Sequence, residues 1–418
     1  MHRRERAWQS TRRAEALWPG LSAPLLQSAA DAIGDAVAAV LRGERARLDV
    51  ASTSPDADRI ARALGVSALL TGVGPLLGAW HASGAIDADL PIARVLARHL
   101  AHNRARVARI RGEVLPILSR MEAAGLAPAV IKGFHTAHAY FPEPGARPMA
   151  DVDVVVAPDH VARAVKLLRD AGLVTEGRSP AAHKSEWTRP GDEQVWSHEL
   201  WHARSTWRIE LHDGLNFNAV IANVDTPQTP TFREGMTLDG VALRVADPNE
   251  LIALVATHGS TELYSQRLLR LVELVLIARR AQALGQLDWA AVEEHLARRR
   301  ALPFAYPLFV LVEHLAPGTV DPRAFARVRE ATTRRIREVT ERFTPTAPIL
   351  DEPFSLSERL LWVSGVRGTL RRLWRMVAPL EHASARARLS TYHDRVIRLV
   401  AMGVRSRARA KPEDGGET

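Results

Sequence analysis

Six residues, Asp151-Val152-Asp153-Val154-Val155-Val156, constrain the fold of this chain more than any other stretch. The β-branched valines, bounded by Pro158, favour extended backbone, so residues 151–157 are expected to form a strand. Side chains two apart on a strand share a face, which sets the two aspartates side by side, roughly 7 Å apart at Cα. Carboxylates held that close repel one another and lose hydration unless a cation lies between them. A divalent metal is the natural resolution.

The flanks differ in kind. From Arg12 to about Ala123 the chain is rich in Ala, Leu and Arg at helical spacing, as in Ala93, Leu96, Ala97, Leu100 and Ile92, Val95, His99. An all-helical N-terminal module is expected there, with breaks at Pro19-Gly20, residues 52–55 and residues 87–91, and no chemistry of its own. Residues 124–246 read as an α/β core: a strand at 129–131 stopped by Gly133, a helix at 134–140 and a Pro- and Gly-rich loop at 141–149. After the central strand a helix capped by Asp159 carries Val161, Ala164, Val165, Leu168 and Ala171 before Gly172 ends it. Further strands are expected at 194–200 and 207–211, and a hairpin at 236–245 turning on Asp239-Gly240. After Asp247-Pro248 the helical pattern resumes at 251–259, 268–284 and 289–299 and continues onward. The 418 residues thus divide into modules 1–123, 124–246 and 247–411, with a disordered tail over 412–418. The fold class is α/β (α+β): a mixed-sheet core flanked by N-terminal and C-terminal helical modules.

Composition removes some chemistries. With no cysteine, the chain can form neither a disulfide nor a thiolate metal site, and it has no thiol nucleophile. The N-terminus is charged from His2 through Arg6 without a following apolar run, so no signal peptide is expected. The longest apolar stretch, 66–80, is interrupted by Gly72, Gly74, Pro75 and Gly78 and falls short of the ~20 residues of a spanning helix. It is expected to be a buried helix with a glycine-rich break, in a cytoplasmic protein without a membrane partner. A formal charge of +9 suits polyanionic partners such as triphosphates, nucleic acid or an acidic protein surface. Of 56 basic residues only Lys132, Lys166, Lys184 and Lys411 are lysines, so a lysine in this chain carries information.

Around the aspartates other groups gather. Lys132-Gly133 stands at a strand end and helix start, where backbone N–H groups and the helix dipole favour phosphate; Lys132 supplies a point charge and Gly133 a close backbone approach. Arg147, on the approach loop, can pair with Asp151 or neutralise a phosphate. A third acid is expected from a neighbouring strand. Glu210 alternates with Ile209 and Leu211 and shares a face with His212, which makes it a candidate metal ligand or base, with Asp213 as the fallback. His135 and His138, three apart on a helix, fit packing or caps better than a metal face, while His212 and His258 are candidates to border the site. A polar insert, 178–204, holds His183, His198 and His202 with Trp187, Trp196 and Trp201; it either covers an acceptor or forms a long loop and hairpin over the sheet edge.

Ile131-Lys132-Gly133, Tyr140, Arg147-Pro148-Met149-Ala150-Asp151-Val152-Asp153 and Ala171-Gly172-Leu173 together resemble the uncharacterised bacterial nucleotidyltransferase family of the polymerase-β-like superfamily. Ile209-Glu210-Leu211-His212, the run from Asp247-Pro248-Asn249-Glu250-Leu251 to His258, and Leu287-Asp288-Trp289 extend the similarity over roughly residues 115–380. The resemblance implies a mixed-sheet nucleotidyltransferase fold with metal-binding acids at Asp151, Asp153 and Glu210, while the residues themselves suggest nucleotide contacts at Lys132, Gly133, Arg147 and His212 and Mg²⁺ as cofactor, with Mn²⁺ as the alternative. It also implies transfer of a nucleotidyl group from an NTP to a hydroxyl or amine of a small molecule, peptide or RNA. One departure stands out: the superfamily's phosphate turn usually carries Gly-Ser, whereas here Phe134 follows Gly133.

Two other readings remain open on sequence. The chain is alternatively a basic module that binds RNA or a biosynthetic partner protein, its carboxylates structural, or a toxin-like transferase acting on tRNA. The Arg-rich stretches Arg334, Arg335, Arg337, then Arg367, Arg371, Arg372, Arg375, then Arg405, Arg407, Arg409, with Trp362, Leu370, Leu373 and Trp374 between them, fit a solvated helix face or a grip on RNA.

Overall fold

The computed structural model describes residues 13–49, 56–178, 184–191, 197–213, 232–261 and 267–350, with a few isolated positions besides. Outside the described residues fall the expected break at 52–55, His183, Gln194, Trp196, most of the C-terminal arginine stretches and the tail.

From Ala14 on, the described elements run α1 (Ala14–Leu17), α2 (Ala23–Leu41), β1 (Ala46–Leu48), α3 (Ala57–Thr71), α4 (Gly74–Ala82), β2 (Ile86–Ala88) and the 34-residue α5 (Leu90–Ala123). The N-terminal region is not all-helical: β1 and β2 form a small parallel pair, Ala46 opposite Ile86 and Leu48 opposite Ala88. Three residues each, they are too short to show a period. The glycine-rich break is present, since α3 and α4 meet at 115° across Gly72, whose φ of +81° a residue with a side chain rarely adopts. Helix α2 is long and apolar enough by length and composition to cross a membrane, yet Leu26, Ala30, Ile33, Val37 and Leu41 pack into the protein core.

A seven-stranded mixed sheet follows, built of β3 (Ala129–Ile131), β4 (Asp151–Val155), β5 (Val174–Arg178), β6 (Lys184–Thr188), β7 (Arg208–His212), β8 (Phe232–Leu238) and β9 (Val241–Ala246). The spatial order is β5-β6-β7-β4-β3-β9-β8, with β4–β7 and β3–β9 parallel and the other pairs antiparallel. Helices α6 (Lys132–Ala139) and α7 (Val161–Asp170) lie between strands; α8 (Pro248–Thr261), α9 (Arg267–Ala283), α10 (Trp289–Arg298), α11 (Leu302–Leu315), α12 (Pro322–Ala331) and α13 (Arg334–Thr340) follow. The hairpin turns on Asp239-Gly240, both at positive φ, as a tight two-residue turn requires.

Two expected details differ. Residues 198–200 form bends, not a strand, because their partners lie outside the sheet: Trp18 Nε1 donates to the His198 carbonyl at 2.6 Å and Arg62 pairs with Glu199 at 2.8 Å. Asp159 does not cap the following helix either, since Pro158–His160 is a 3₁₀ turn and His160 precedes α7 without a side-chain cap. Of the C-terminal arginines described, Arg334 and Arg335 reach Glu338 at 2.7 and 3.8 Å, the pattern of a solvated helix face.

Strand alternation divides the core. Val152, Val154, Ile209 and Leu211 bury on one sheet face with Val107, Ile110, Val114 and Leu118 of α5 and with Ala164 and Leu168 of α7. Each Val, Leu or Ile side chain so buried contributes about 1.5–3 kcal/mol. Asp151, Asp153, Glu210 and His212 are thereby turned to the opposite face. The second cluster spans most of the rest, joining α1–α4 and the start of α5 to α8–α13, so N-terminal and C-terminal helices share one apolar core.

Two buried histidines and the half-buried His258 make this fold acid-sensitive. Burial, with Arg98 nearby, pushes His99 down to about 4, and burial with Arg233 nearby pushes His135 down to about 3; burial likewise holds His258 well below its ordinary value. Unfolded, each would titrate near ~6.5, so as pH falls below that value the unfolded chain gains protons that the folded chain refuses. Stability should therefore be full above ~6.5 and fall by about 1.4 kcal/mol per pH unit for each such histidine down to its folded value. The raised carboxyl of Glu210 works in the opposite sense but is one group against three. Thermal unfolding at pH 7, 6 and 5 should show a steadily falling midpoint; a flat profile would contradict it.

Candidate active site

The parallel pairing of β4 with β7 builds the site. In register, Asp151 lies opposite Arg208, Asp153 opposite Glu210, and Val155 opposite His212. Helix α5 fixes the entry to both strands: buried Arg106 donates to the Met149 carbonyl at 3.0 and 3.2 Å and also to the carbonyls of Ser205 and Thr206, just ahead of Asp151 and Arg208.

Asp153, Glu210 and His212 converge, all buried, with one ligand atom of each within 4.8 Å of the others. His212 Nε2 stands 2.9 Å from Asp153 Oδ1 and 3.8 Å from Glu210 Oε2. Two carboxylate oxygens and an imidazole nitrogen form a donor set suited to a divalent cation, so the residues fit a metal centre. Asp151 lies two residues up the same face, half-buried, and is outside this group of three. The acid pair is electrically split. Burial disfavours the charge on Asp153, yet Lys132 and His212 outweigh it and hold the carboxyl well below the usual range. Burial pushes Glu210 up, helped by Asp153 and Asp151 and opposed by Lys184.

Lys132 opens α6 at φ +47°, a left-handed conformation uncommon for a side-chain-bearing residue, and places its Nζ 3.3 Å from Asp153 Oδ1. Such strain persists only where its surroundings impose it. Those surroundings include the next residue, because a Cβ on Gly133 would lie 2.7 Å from Arg147 Nη1. That guanidinium cannot yield: it is buried, pairs with Glu273 of α9 at 2.8 Å and donates to the Pro148 carbonyl at 3.1 Å. Thr136 of α6 also donates to Glu273. The glycine thus admits the Arg147–Glu273 pair beneath the turn, and Arg147 is engaged by an internal carboxylate rather than presented to a phosphate.

Other expected residues take the following places. His258 feels the charges of Lys132 and Asp153 and so borders the site. His135 is buried and His138 Nδ1 lies 2.9 Å from the Phe134 carbonyl; neither joins a metal-capable group among the described residues. The insert contributes strand β6 beside β7, with Lys184 Nζ 2.6 Å from Glu210 Oε2. Sequence reasoning missed Lys184, Glu186, Arg208 and Glu273; only the rarity of lysine marked one of them.

A sequence model described as uncharacterised nucleotidyltransferase matches residues 59–317, a span covering all seven strands and the site. No curated protein and no solved structure matches the chain.

Proposed function

This chain belongs to the uncharacterised nucleotidyltransferase family, and from that premise we propose a Mg²⁺-dependent enzyme, Mn²⁺ being the alternative metal. It would transfer an NMP group from an NTP to a hydroxyl or amine acceptor. The observation that carries this reading is the convergence of Asp153, Glu210 and His212 on adjacent parallel strands.

In this reading Asp153, Glu210 and His212 hold the metal, with Asp151 on the same face toward the substrate side. The bound cation supplies charge neutralisation for the triphosphate and polarises its phosphoryl oxygens. Lys132 adds positive charge for the phosphates, and the backbone at Gly133 lies beside them. Arg147 acts at one remove, holding the turn through Glu273. Glu210, on the same face, also helps activate the acceptor and takes its proton. The acceptor oxygen or nitrogen bonds to the α-phosphorus, the bond from that phosphorus to the bridging oxygen breaks, and pyrophosphate leaves. Rate enhancement comes from positioning and charge stabilisation rather than a covalent enzyme intermediate.

Incubating the full chain with each α-labelled NTP, Mg²⁺ or Mn²⁺, and either total RNA or a metabolite extract tests the proposal. Metal-dependent transfer of label with pyrophosphate release is expected; label on tRNA would identify the acceptor. Salt-sensitive RNA binding without NTP turnover would instead select the binding-module reading.

A further inference from the structure

We propose that Lys184 is a movable counter-cation of this site: it holds the place of the metal's charge on Glu210 in the metal-free protein and passes to the triphosphate when metal and nucleotide arrive. The inference rests on the proposed metal-dependent chemistry and adds a ligand for the NTP that the family pattern did not mark.

Placement comes first. Among 56 basic residues the chain uses four lysines, and two of them end on the two buried carboxylates, Lys132 on Asp153 at 3.3 Å and Lys184 on Glu210 at 2.6 Å. The register of β6 on β7 makes a cation necessary there. Glu186 lies directly opposite Glu210 across the antiparallel pair, and like charges so placed repel. Lys184 relieves this by reaching Glu186 at 3.6 Å as well as Glu210, while Arg208 spans the same two acids at 3.1 and 3.5 Å. Burial opposes the ammonium charge, but Glu210 and Glu186 hold it in the charged form.

The choice of lysine follows from what the residue must do. An arginine would grip a carboxylate with a planar fork and resist displacement. An ammonium on a flexible stem makes a point contact and re-aims at modest cost. The side chain of Glu210 is 6% exposed and that of Lys184 22%, so the acid is fixed inside while the lysine keeps a route outward. A divalent cation on Glu210 would repel the ammonium, which would then be shared between Glu186, 3.6 Å away, and the triphosphate. Lys184 should therefore oppose metal binding and favour nucleotide binding, two effects of opposite sign.

That opposition is the test. In the full chain, Mn²⁺ binding is measured by electron paramagnetic resonance without nucleotide, and binding of a non-hydrolysable NTP analogue by calorimetry with Mn²⁺ saturating. Lys184→Met should bind Mn²⁺ about tenfold more tightly and the analogue about tenfold more weakly, each a difference of about 1.4 kcal/mol. Lys184→Arg should bind Mn²⁺ more weakly than the parent while retaining more analogue affinity than Lys184→Met. If Lys184 only braces the strands, Lys184→Met will lower both affinities together along with the unfolding midpoint, which overturns the proposal, as does no change in either affinity. A parent protein whose Mn²⁺ signal equals that of Asp153→Asn overturns the metal reading itself, and this inference with it; a parent that binds Mn²⁺ while Lys184→Met binds it no tighter overturns only the role of Lys184.

Discussion

Replacing Asp153 with asparagine should lower nucleotidyl transfer by about 10³-fold, on the scale of losing one preorganised electrostatic group from an enclosed site. The amide preserves the shape of the carboxylate and an oxygen toward His212 Nε2, now 2.9 Å away, but removes the charge that a divalent cation and Lys132 both require. The fold should tolerate the change, because the Lys132 side chain retains 14% exposure and can turn to solvent, while Val152 and Val154 keep the strand in its apolar core. Turnover and thermal unfolding measured on the same preparations check this. Turnover within tenfold of the parent would contradict the assignment, and a collapse of the unfolding midpoint would make the loss of activity a folding effect. A module that only binds RNA would be indifferent to the substitution.

What the sequence made legible follows the range over which each signal acts. β4 was readable because its cause is local: β-branched residues favour extended backbone, and a period of two puts both aspartates on one face. The same alternation linked Glu210 to His212, and the structure places both beside Asp153. The parallel register of β4 on β7 had no local cause, since the first paired residues, Asp151 and Arg208, stand 57 positions apart. Strand β6, Lys184–Thr188, is largely polar and gave no apolar alternation, so the place of Lys184 at the site stayed hidden in the insert. Residues 194–200 read as a strand, but at 198–200 contacts of His198 and Glu199 with Trp18 and Arg62 draw the chain away from the sheet. Arg147 was seen as an approach-loop cation because its partner is 126 positions away on a helix that shows only apolar periodicity.

That partner carries the largest expected effect on stability. Glu273 is fully buried, accepts from Arg147 and Thr136, and lies 3.4 Å from Arg270. Burial raises the cost of its charge, yet Arg147 and Arg270 hold its carboxyl below the usual range, so its contribution is present above the unfolded value near ~4.3 and is lost as pH falls through the lower folded one. Glu273→Gln leaves the Arg147 guanidinium buried without its counter-charge and should destabilise the protein by about 3–5 kcal/mol. Removing both members, as Arg147→Met with Glu273→Leu, should cost far less than the sum of the single changes, because no uncompensated charge remains and Arg270, at 19% exposure, can reach water. Chemical denaturation of the two single variants and the double variant closes the cycle; additive losses would show that the pair is not coupled. The double variant also separates stability from positioning. With Arg147 shortened, the space above Gly133 opens and Lys132 loses one support of its left-handed backbone, so nucleotide affinity should fall even where the unfolding midpoint has recovered. Full affinity in a stable double variant would confine the pair to holding α6 against α9.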